Sequence, residues 1–219
     1  MNLVEIVGWG AAFVGTVLGL PQVWRLVRTR NVEGVSLPFW QAVLALNVAW
    51  TSHGMILGQP NMIVPNLLGL GSTLPILFLM ARELRRPLVG VMLPGVLFAG
   101  AMIGVDLAFG TAAYGLIAVF PALFANAGQS VELIRSPRVV GVSPVFLVGA
   151  VLNQLLWMVW GLLVNDAGTI ITAIATLVVT VFNLVWWALR KLGLRAFGVP
   201  TTEELRAYVR ARSRAGASR

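Results

Sequence analysis

Long apolar stretches alternate with short basic segments along this chain of 219 residues. No Lys or Arg occurs in residues 1–24, 31–81, 87–134 or 139–189, and mostly apolar residues fill these four ranges. A helix that crosses a bilayer needs about 20 predominantly apolar residues. The first range therefore predicts one membrane span, and each of the other three predicts two spans joined by a short turn.

The seven predicted spans cover residues 6–24, 38–57, 62–81, 88–108, 112–134, 144–164 and 168–189. Because Lys and Arg are retained on the cytoplasmic side of short loops, the basic segments place the N-terminus outside and the C-terminus in the cytoplasm. Hydrophobic residues make up 58% of the chain and charged residues 11%, whereas a soluble domain carries about 25% charged residues. The sequence thus predicts an all-α, multi-pass protein of the cell membrane, in contact with membrane lipids.

The net charge of +8 is spread over separate loops. No single basic face is predicted, which argues against binding to nucleic acid. The chain has no cysteine and one histidine, and no carboxylate lies in the middle of a predicted span. These features exclude disulfides and thiolate metal sites, and they argue against an enzyme. We expect no cofactor and no metal.

An internal duplication is visible in the spans. One ungapped shift pairs Gln22 with Gln129, Trp50 with Trp157, and the Gly-Val-Ser sequence of residues 34–36 with that of residues 141–143. Spans 1 to 3 and 5 to 7 are therefore predicted to be copies of one unit, and span 4 joins them so that both copies face the same way. The predicted divisions are residues 1–86, 87–110 and 111–191, followed by a basic tail at 192–219. Parallel repeats are typical of one class of transporters, although receptors and scaffolds also contain repeats.

The chain resembles the PQ-loop clan, and within it the SWEET and SemiSWEET sugar transporters. The resemblance is carried by Leu-Pro-Gln-Val-Trp-Arg at residues 20–25, by Gly-Val-Ser at 34–36, and by Trp50, Gly54 and Pro65–Asn66, with a second copy from Gln129 to Gly161. It implies two three-span repeats joined by one span (3+1+3). It also implies a facilitator that passes a mono- or disaccharide down its gradient by alternating access.

The resemblance further implies a central substrate site. Trp50 and Trp157 take equivalent positions in the two repeats, and their indole faces suit the apolar C–H surface of a sugar. Asn66 matches the family's substrate-binding asparagine, but the equivalent position of the second repeat holds Ala173. The candidate substrate-binding residues are Trp50, Asn66, Asn153, Trp157, Thr172 and Ala173. Asn47 and Gln154 are expected to add polar contacts or to bridge helices.

Several residues near span ends are candidate hinges or gates. In the family, prolines in four helices act as hinges; three of them match prolines of this chain, and Gly128 stands at the fourth position. A proline inside a span kinks the helix, whereas one that follows a capping serine marks a helix start. His53 is either a gate or a hydrogen-bonded packing residue near the outer face. The hinge and gate candidates are Pro21, Gln22, Pro38, His53, Gly128, Gln129 and Pro144.

The predicted site chemistry favours a small neutral substrate, a sugar in the first place. Aromatic and amide side chains do not distinguish a sugar from a neutral amino acid or another polar metabolite. Since the ionisable residues lie near span ends, we expect facilitated diffusion rather than proton coupling. A non-transporting receptor with seven helices is a further alternative, and the sequence leaves open whether the chain forms a homo-oligomer.

Overall fold

The computed structural model describes residues 2–29, 36–136 and 142–197, without the side chains of residues 22, 23, 25–27 and 29. These ranges contain seven helices and no strand, which confirms the predicted all-α fold. The helices are α1 (Leu3–Thr29), α2 (Leu37–Leu57), α3 (Pro60–Glu83), α4 (Leu88–Phe109), α5 (Thr111–Arg135), α6 (Pro144–Val164) and α7 (Ala167–Lys191).

Six of these helices are long and apolar enough to cross a membrane. The exception is α2, which has 21 residues but contains polar side chains along its length. Gln41 donates to the carbonyl of Val91 and Asn47 donates to Thr73, so these polar groups are satisfied inside the helix bundle. The polar side chains that lower the hydropathy of α2 are thus bonded inside the bundle and need no exposure to water.

Six helices pack around a central axis, and α4 lies outside them. In the first half of the chain α3 packs against α1 and α2, and in the second half α7 packs against α5 and α6. Contacts of α1 with α6 and of α2 with α5 join the halves and close a ring. Helix α4 covers the outside of the ring, against α2, α3 and α5.

The ring has two chemically different ends. At one end, here called the turn end, Gly110 alone connects α4 to α5, and two-residue turns connect α2 to α3 and α6 to α7. These turns are shorter than the sequence predicted. Gly58 and Asn165, equivalent in the duplication, end α2 and α6 in the left-handed conformation, with φ of 65° and 57°. At the opposite, basic end lie Arg28, Arg82, Arg135, Arg190 and Lys191.

Serine caps begin the second helix of each half, as predicted. The Ser36 hydroxyl accepts a hydrogen bond from the backbone N–H of Phe39, over 3.4 Å, and Ser143 accepts one from Phe146 over 3.3 Å. Pro38 and Pro144 lie in the first turns of α2 and α6. In this position a proline costs no helical hydrogen bond.

Some predicted features lie outside the described residues. They are Gly34, Val35, Gly141, the side chain of Gln22 and residues 198–219 of the predicted basic tail.

Candidate functional site

A cavity of about 680 Å³ lies inside the ring. All six helices of the ring contribute to its lining. The lining runs from Met62 and Thr169, near the turn end, to Leu20 and Phe39, towards the basic end. This volume is within the range of about 300–1,000 Å³ that is usual for small-molecule pockets.

The structure brings the two tryptophans of the duplication to this cavity. Trp50 packs edge-to-face on Tyr114, with ring centroids 4.9 Å apart, and Trp157 packs edge-to-face on Trp160 at 5.6 Å. Each cavity tryptophan is therefore held by a second aromatic ring on the side of the turn end. Fixed indole rings leave their remaining surface available to a ligand at little cost in side-chain entropy.

The other four candidate binding residues also line the cavity, but their polar groups are differently engaged. Asn153 Nδ2 donates to the carbonyl of Ala11 over 2.7 Å, and the Thr172 hydroxyl donates to the carbonyl of Gly115 over 3.3 Å. Asn66 Nδ2 donates to the carbonyl of Met62, 2.7 Å away in its own helix. Its Oδ1 has no partner among the described residues, so it can accept from a ligand hydroxyl. Ala173 contributes a small apolar side chain that is almost completely buried.

Gln154 is a further candidate for substrate binding, although the sequence indicated only polar contacts or a bridge between helices. This residue lines the cavity and is half-buried, and its amide makes no hydrogen bond with the described part of the chain. Six further polar residues of the lining were not predicted from the sequence: Thr16, Ser72, Thr73, Asn126, Thr169 and Thr176. The spacing of the α7 threonines was the available signal, because Thr169, Thr172 and Thr176 recur every three or four residues and thus share one helix face.

The cavity lining is mostly apolar, with separate polar groups and no charged ones. No Asp, Glu, Lys, Arg or His occurs among the described residues that line it. Amide, hydroxyl and indole N–H groups are the polar parts of this otherwise apolar lining. This composition suits a neutral ligand that carries hydroxyl or other hydrogen-bonding groups.

A fully buried ionisable cluster joins three helices near the turn end. His53 Nδ1 lies 2.6 Å from a carboxylate oxygen of Asp106, and His53 Nε2 lies 3.2 Å from one of Asp166. The Tyr114 ring stacks on the imidazole with centroids 4.3 Å apart. His53 is outside the cavity lining and is hydrogen-bonded, as the packing alternative expected, while its role as a gate stays a prediction. The sequence placed Asp106 and Asp166 near the same end but gave no sign that they converge on His53.

Asp166 also caps α7. Its carboxylate accepts from the backbone N–H groups of Gly168 and Thr169, over 3.2 and 2.9 Å. Burial alone would raise the pKa of Asp166, but hydrogen bonds from His53 and Thr169 outweigh it and lower that pKa to about 2. The carboxylate is therefore ionised in the folded protein at neutral pH.

The candidate hinges lie away from the centre of the cavity. Helix α1 continues through Pro21 to Thr29, so this proline lies inside the helix and does not end it. Helix α5 runs without a break through Gly128 and Gln129. Neither of these residues lines the cavity. Their role as hinges, like that of Pro38 and Pro144, stays a prediction.

Comparison with known proteins gives matches in sequence and in fold. Residues 3–60 match the family model described as PQ loop repeat. The sugar transporter SemiSWEET of Escherichia coli (strain UMEA 3162-1) is 29% identical over 77 residues, which are 35% of this chain and 86% of that protein. A solved structure of a eukaryotic SWEET transporter matches with a TM-score of 0.67 and 15% identity, over 88% of this chain and 100% of the other.

The SemiSWEET match of 77 residues is close to the length of one three-helix unit, whereas the SWEET structure matches most of the seven-helix chain. Together with the PQ-loop match, they confirm the family that the motifs predicted. These relatives are transporters and not enzymes, and the chain is a multi-pass membrane protein.

Proposed function

We propose that this chain, a relative of the SWEET and SemiSWEET proteins within the PQ-loop clan, is a membrane sugar transporter. In this proposal it moves a mono- or disaccharide down its gradient by alternating access. One observation carries the proposal: an uncharged cavity of about 680 Å³, lined by Trp50, Asn66 and Trp157, lies at the centre of the helix ring. The names of the relatives supply the class of substrate.

The proposed architecture is two parallel three-helix repeats, α1–α3 and α5–α7, joined by α4. The packing supports it, because the third helix of each set lies between the first two and α4 lies outside the ring. All the basic residues named at the basic end lie on one side of the bundle. By the positive-inside rule that side faces the cytoplasm, the N-terminus lies outside, and the membrane is the cell membrane.

In the proposed site, the sugar lies between the two cavity tryptophans. Trp50 and Trp157 contact its apolar C–H faces, and Asn66 Oδ1 accepts from a hydroxyl. Gln154 supplies a second amide from the other repeat. Thr172 and Ala173 form the less polar side, where the sequence lacks the second asparagine of the family.

The proposed transport cycle closes the two ends of the ring in turn. The buried contacts of His53 hold the turn end closed, while the cavity lining extends to Leu20 and Phe39 towards the basic end. This asymmetry supports an inward-facing state. Bending near Pro21, and near Gly128 in the second repeat, would close the basic end as the turn end opens.

Counterflow in liposomes tests the proposal. Purified protein is reconstituted with unlabelled substrate inside, and uptake of radiolabelled glucose, sucrose and a panel of neutral amino acids is followed with and without an imposed pH gradient. We expect sugar exchange that needs no gradient and that is absent from empty liposomes. Amino-acid exchange without sugar exchange would reassign the substrate, and no exchange of any compound by folded protein would favour the receptor alternative.

A neutral amino acid or another small polar metabolite is the second candidate. It is favoured by Ala173, which places an apolar side chain where the family resemblance expects an amide. A ligand with fewer hydroxyl groups than a sugar would suit this less polar side. The same counterflow panel separates the two classes of substrate.

A further inference from the structure

The only histidine of the chain lies between two carboxylates from different parts of the fold. His53 belongs to α2, Asp106 to α4, and Asp166 to the turn that begins α7. Among the described residues, α2 and α7 have no helix-to-helix packing of their own. The contact between His53 and Asp166 therefore links the first half of the chain to the second at the turn end.

This geometry depends on the protonation state of His53. A neutral imidazole has one N–H, so it can donate to only one carboxylate while its other nitrogen turns a lone pair towards the second. Only the imidazolium ion donates to Asp106 and Asp166 together. A buried acceptor that loses its donor costs free energy, and more so when the acceptor is charged.

Among the described residues, no other cation lies beside these carboxylates. The two aspartate side chains are 2% and 1% exposed, and two aromatic rings contact the imidazole. Trp50 of α2 meets the imidazole edge-on, and Tyr114 of α5 stacks on it. The ionisable residues of α3, α5 and α7 that the structure describes, apart from Tyr114, lie at the basic end. If His53 lost its proton, the two buried carboxylates would lose the positive charge with which both are paired, which is strongly unfavourable.

The equivalent position in the second repeat contains no ionisable group. There Trp160 is completely buried and packs near Gly8 and Asn61. One side of the turn end thus contains packed apolar and amide groups, whereas the other contains an ionisable cluster. A single cluster can therefore set the response of this end to pH.

We propose that His53, Asp106 and Asp166 form a proton-binding latch that holds the turn end closed when His53 is protonated and releases it when the proton leaves. His53 is in direct contact with both carboxylates, so its proton decides whether both contacts are made. Raising the pH then shifts the population towards open turn ends. This inference rests on the proposed alternating access for its effect on transport, but the latch itself can be tested without a substrate.

Distance measurements between spin labels test the latch. The chain is free of cysteine, so Met55→Cys in α2 and Leu162→Cys in α6 give two defined attachment sites. Both residues lie near the turn end, and each native side chain is 59% exposed. The doubly labelled full-length protein is placed in liposomes, and pulsed electron paramagnetic resonance records the distance distribution from mildly acidic to mildly alkaline pH. We expect the ratio of long to short distances to rise about tenfold, the effect of losing one hydrogen bond to a charged group.

His53→Gln is the decisive variant, because glutamine donates and accepts hydrogen bonds but does not titrate in this range. Its distance distribution should not change with pH. A distribution independent of pH with His53 present, or an equal pH response in His53→Gln, would overturn the latch. If His53→Gln does not fold, Asp106→Asn replaces it: the midpoint should move about one unit to lower pH, and an unmoved midpoint would overturn the proposal. Because no substrate is added, a failed latch is distinguishable from a failed transport assignment.

Discussion

The side-chain amide of Asn153 in α6 donates a hydrogen bond to the backbone carbonyl of Ala11 in α1, over 2.7 Å. The two residues belong to different halves of the chain, and both line the cavity. A Cβ atom added to Gly15, one turn further along α1, would lie 3.2 Å from the same amide nitrogen. Asn153 thus joins α6 to α1 beside the cavity, so we infer that it positions α1 in addition to any contact with substrate.

Replacing Asn153 by leucine should destabilise the protein. Leucine keeps a similar volume but leaves the carbonyl of Ala11 without its donor, and hydrogen bonds between membrane helices contribute about 1 kcal/mol. Reversible unfolding of the purified protein in mixed micelles measures the change. An unchanged free energy of unfolding for Asn153→Leu would show that the hydrogen bond does not stabilise the contact between α1 and α6.

Gln154→Leu offers a matched comparison in the same helix. Because the Gln154 amide has no partner among the described residues, its loss should leave the free energy of unfolding nearly unchanged. The half-saturation concentration for sugar exchange should rise about fivefold, the effect of losing one hydrogen bond to the ligand. Normal exchange kinetics in this variant would remove Gln154 from the proposed site.

Replacing Asn66 by alanine should reduce uptake without reducing the amount of protein in the membrane. The side chain lines the cavity, and its Nδ2 bonds only to the carbonyl of Met62 within α3, so packing between helices is preserved. We expect exchange to weaken about five- to tenfold. Leu67→Ala is the control, since Leu67 is an exposed neighbour in the same helix. Equal exchange by the two variants at equal abundance would contradict a binding role for Asn66.

Replacing Gly115 by alanine should destabilise the contact between α5 and α7. An added Cβ atom would lie 2.7 Å from the carbonyl oxygen and 2.8 Å from the Cα atom of Gly168, both in the backbone. The helices would have to move apart, which costs about 1–3 kcal/mol. The thermal midpoint of unfolding reports the loss.

Gly128→Ala is the control in the same helix, because nothing lies within 4 Å of an added Cβ atom there. Alanine also favours a helix over glycine by about 1 kcal/mol. This variant should therefore be at least as stable as the native protein. If Gly115→Ala were equally stable, the close approach of α5 and α7 would not be required.

The charge pattern predicted most of the fold because each basic segment marks one end of a span. Predicted span limits fell within a few residues of the helices, with α1 differing most because it continues to Thr29, beyond the predicted end at residue 24. The duplication placed Trp50 and Trp157 in equivalent positions, and both line the cavity. Such features are visible in the sequence because they depend on spacing within one helix or on similarity between two.

The polar partners of the site could not be predicted in the same way. Asn153 and Gln154 are adjacent amides in one span, yet the first is bonded to Ala11 and the second has no partner among the described residues. Their difference comes from the rotation of α6 relative to α1. No pattern within α6 reports that rotation.

The sequence by itself determined the number of helices, the two chemically distinct ends and the repeated positions of the aromatic residues. These follow from transfer of apolar residues out of water and from the retention of basic residues at one end. Only the tertiary structure decided which helix ends meet. Asp106 and Asp166 lie far from His53 in the sequence. They reach it because α4 packs against α2, and because closure of the ring brings the start of α7 to the same place. Buried carboxylates there need a hydrogen-bond donor.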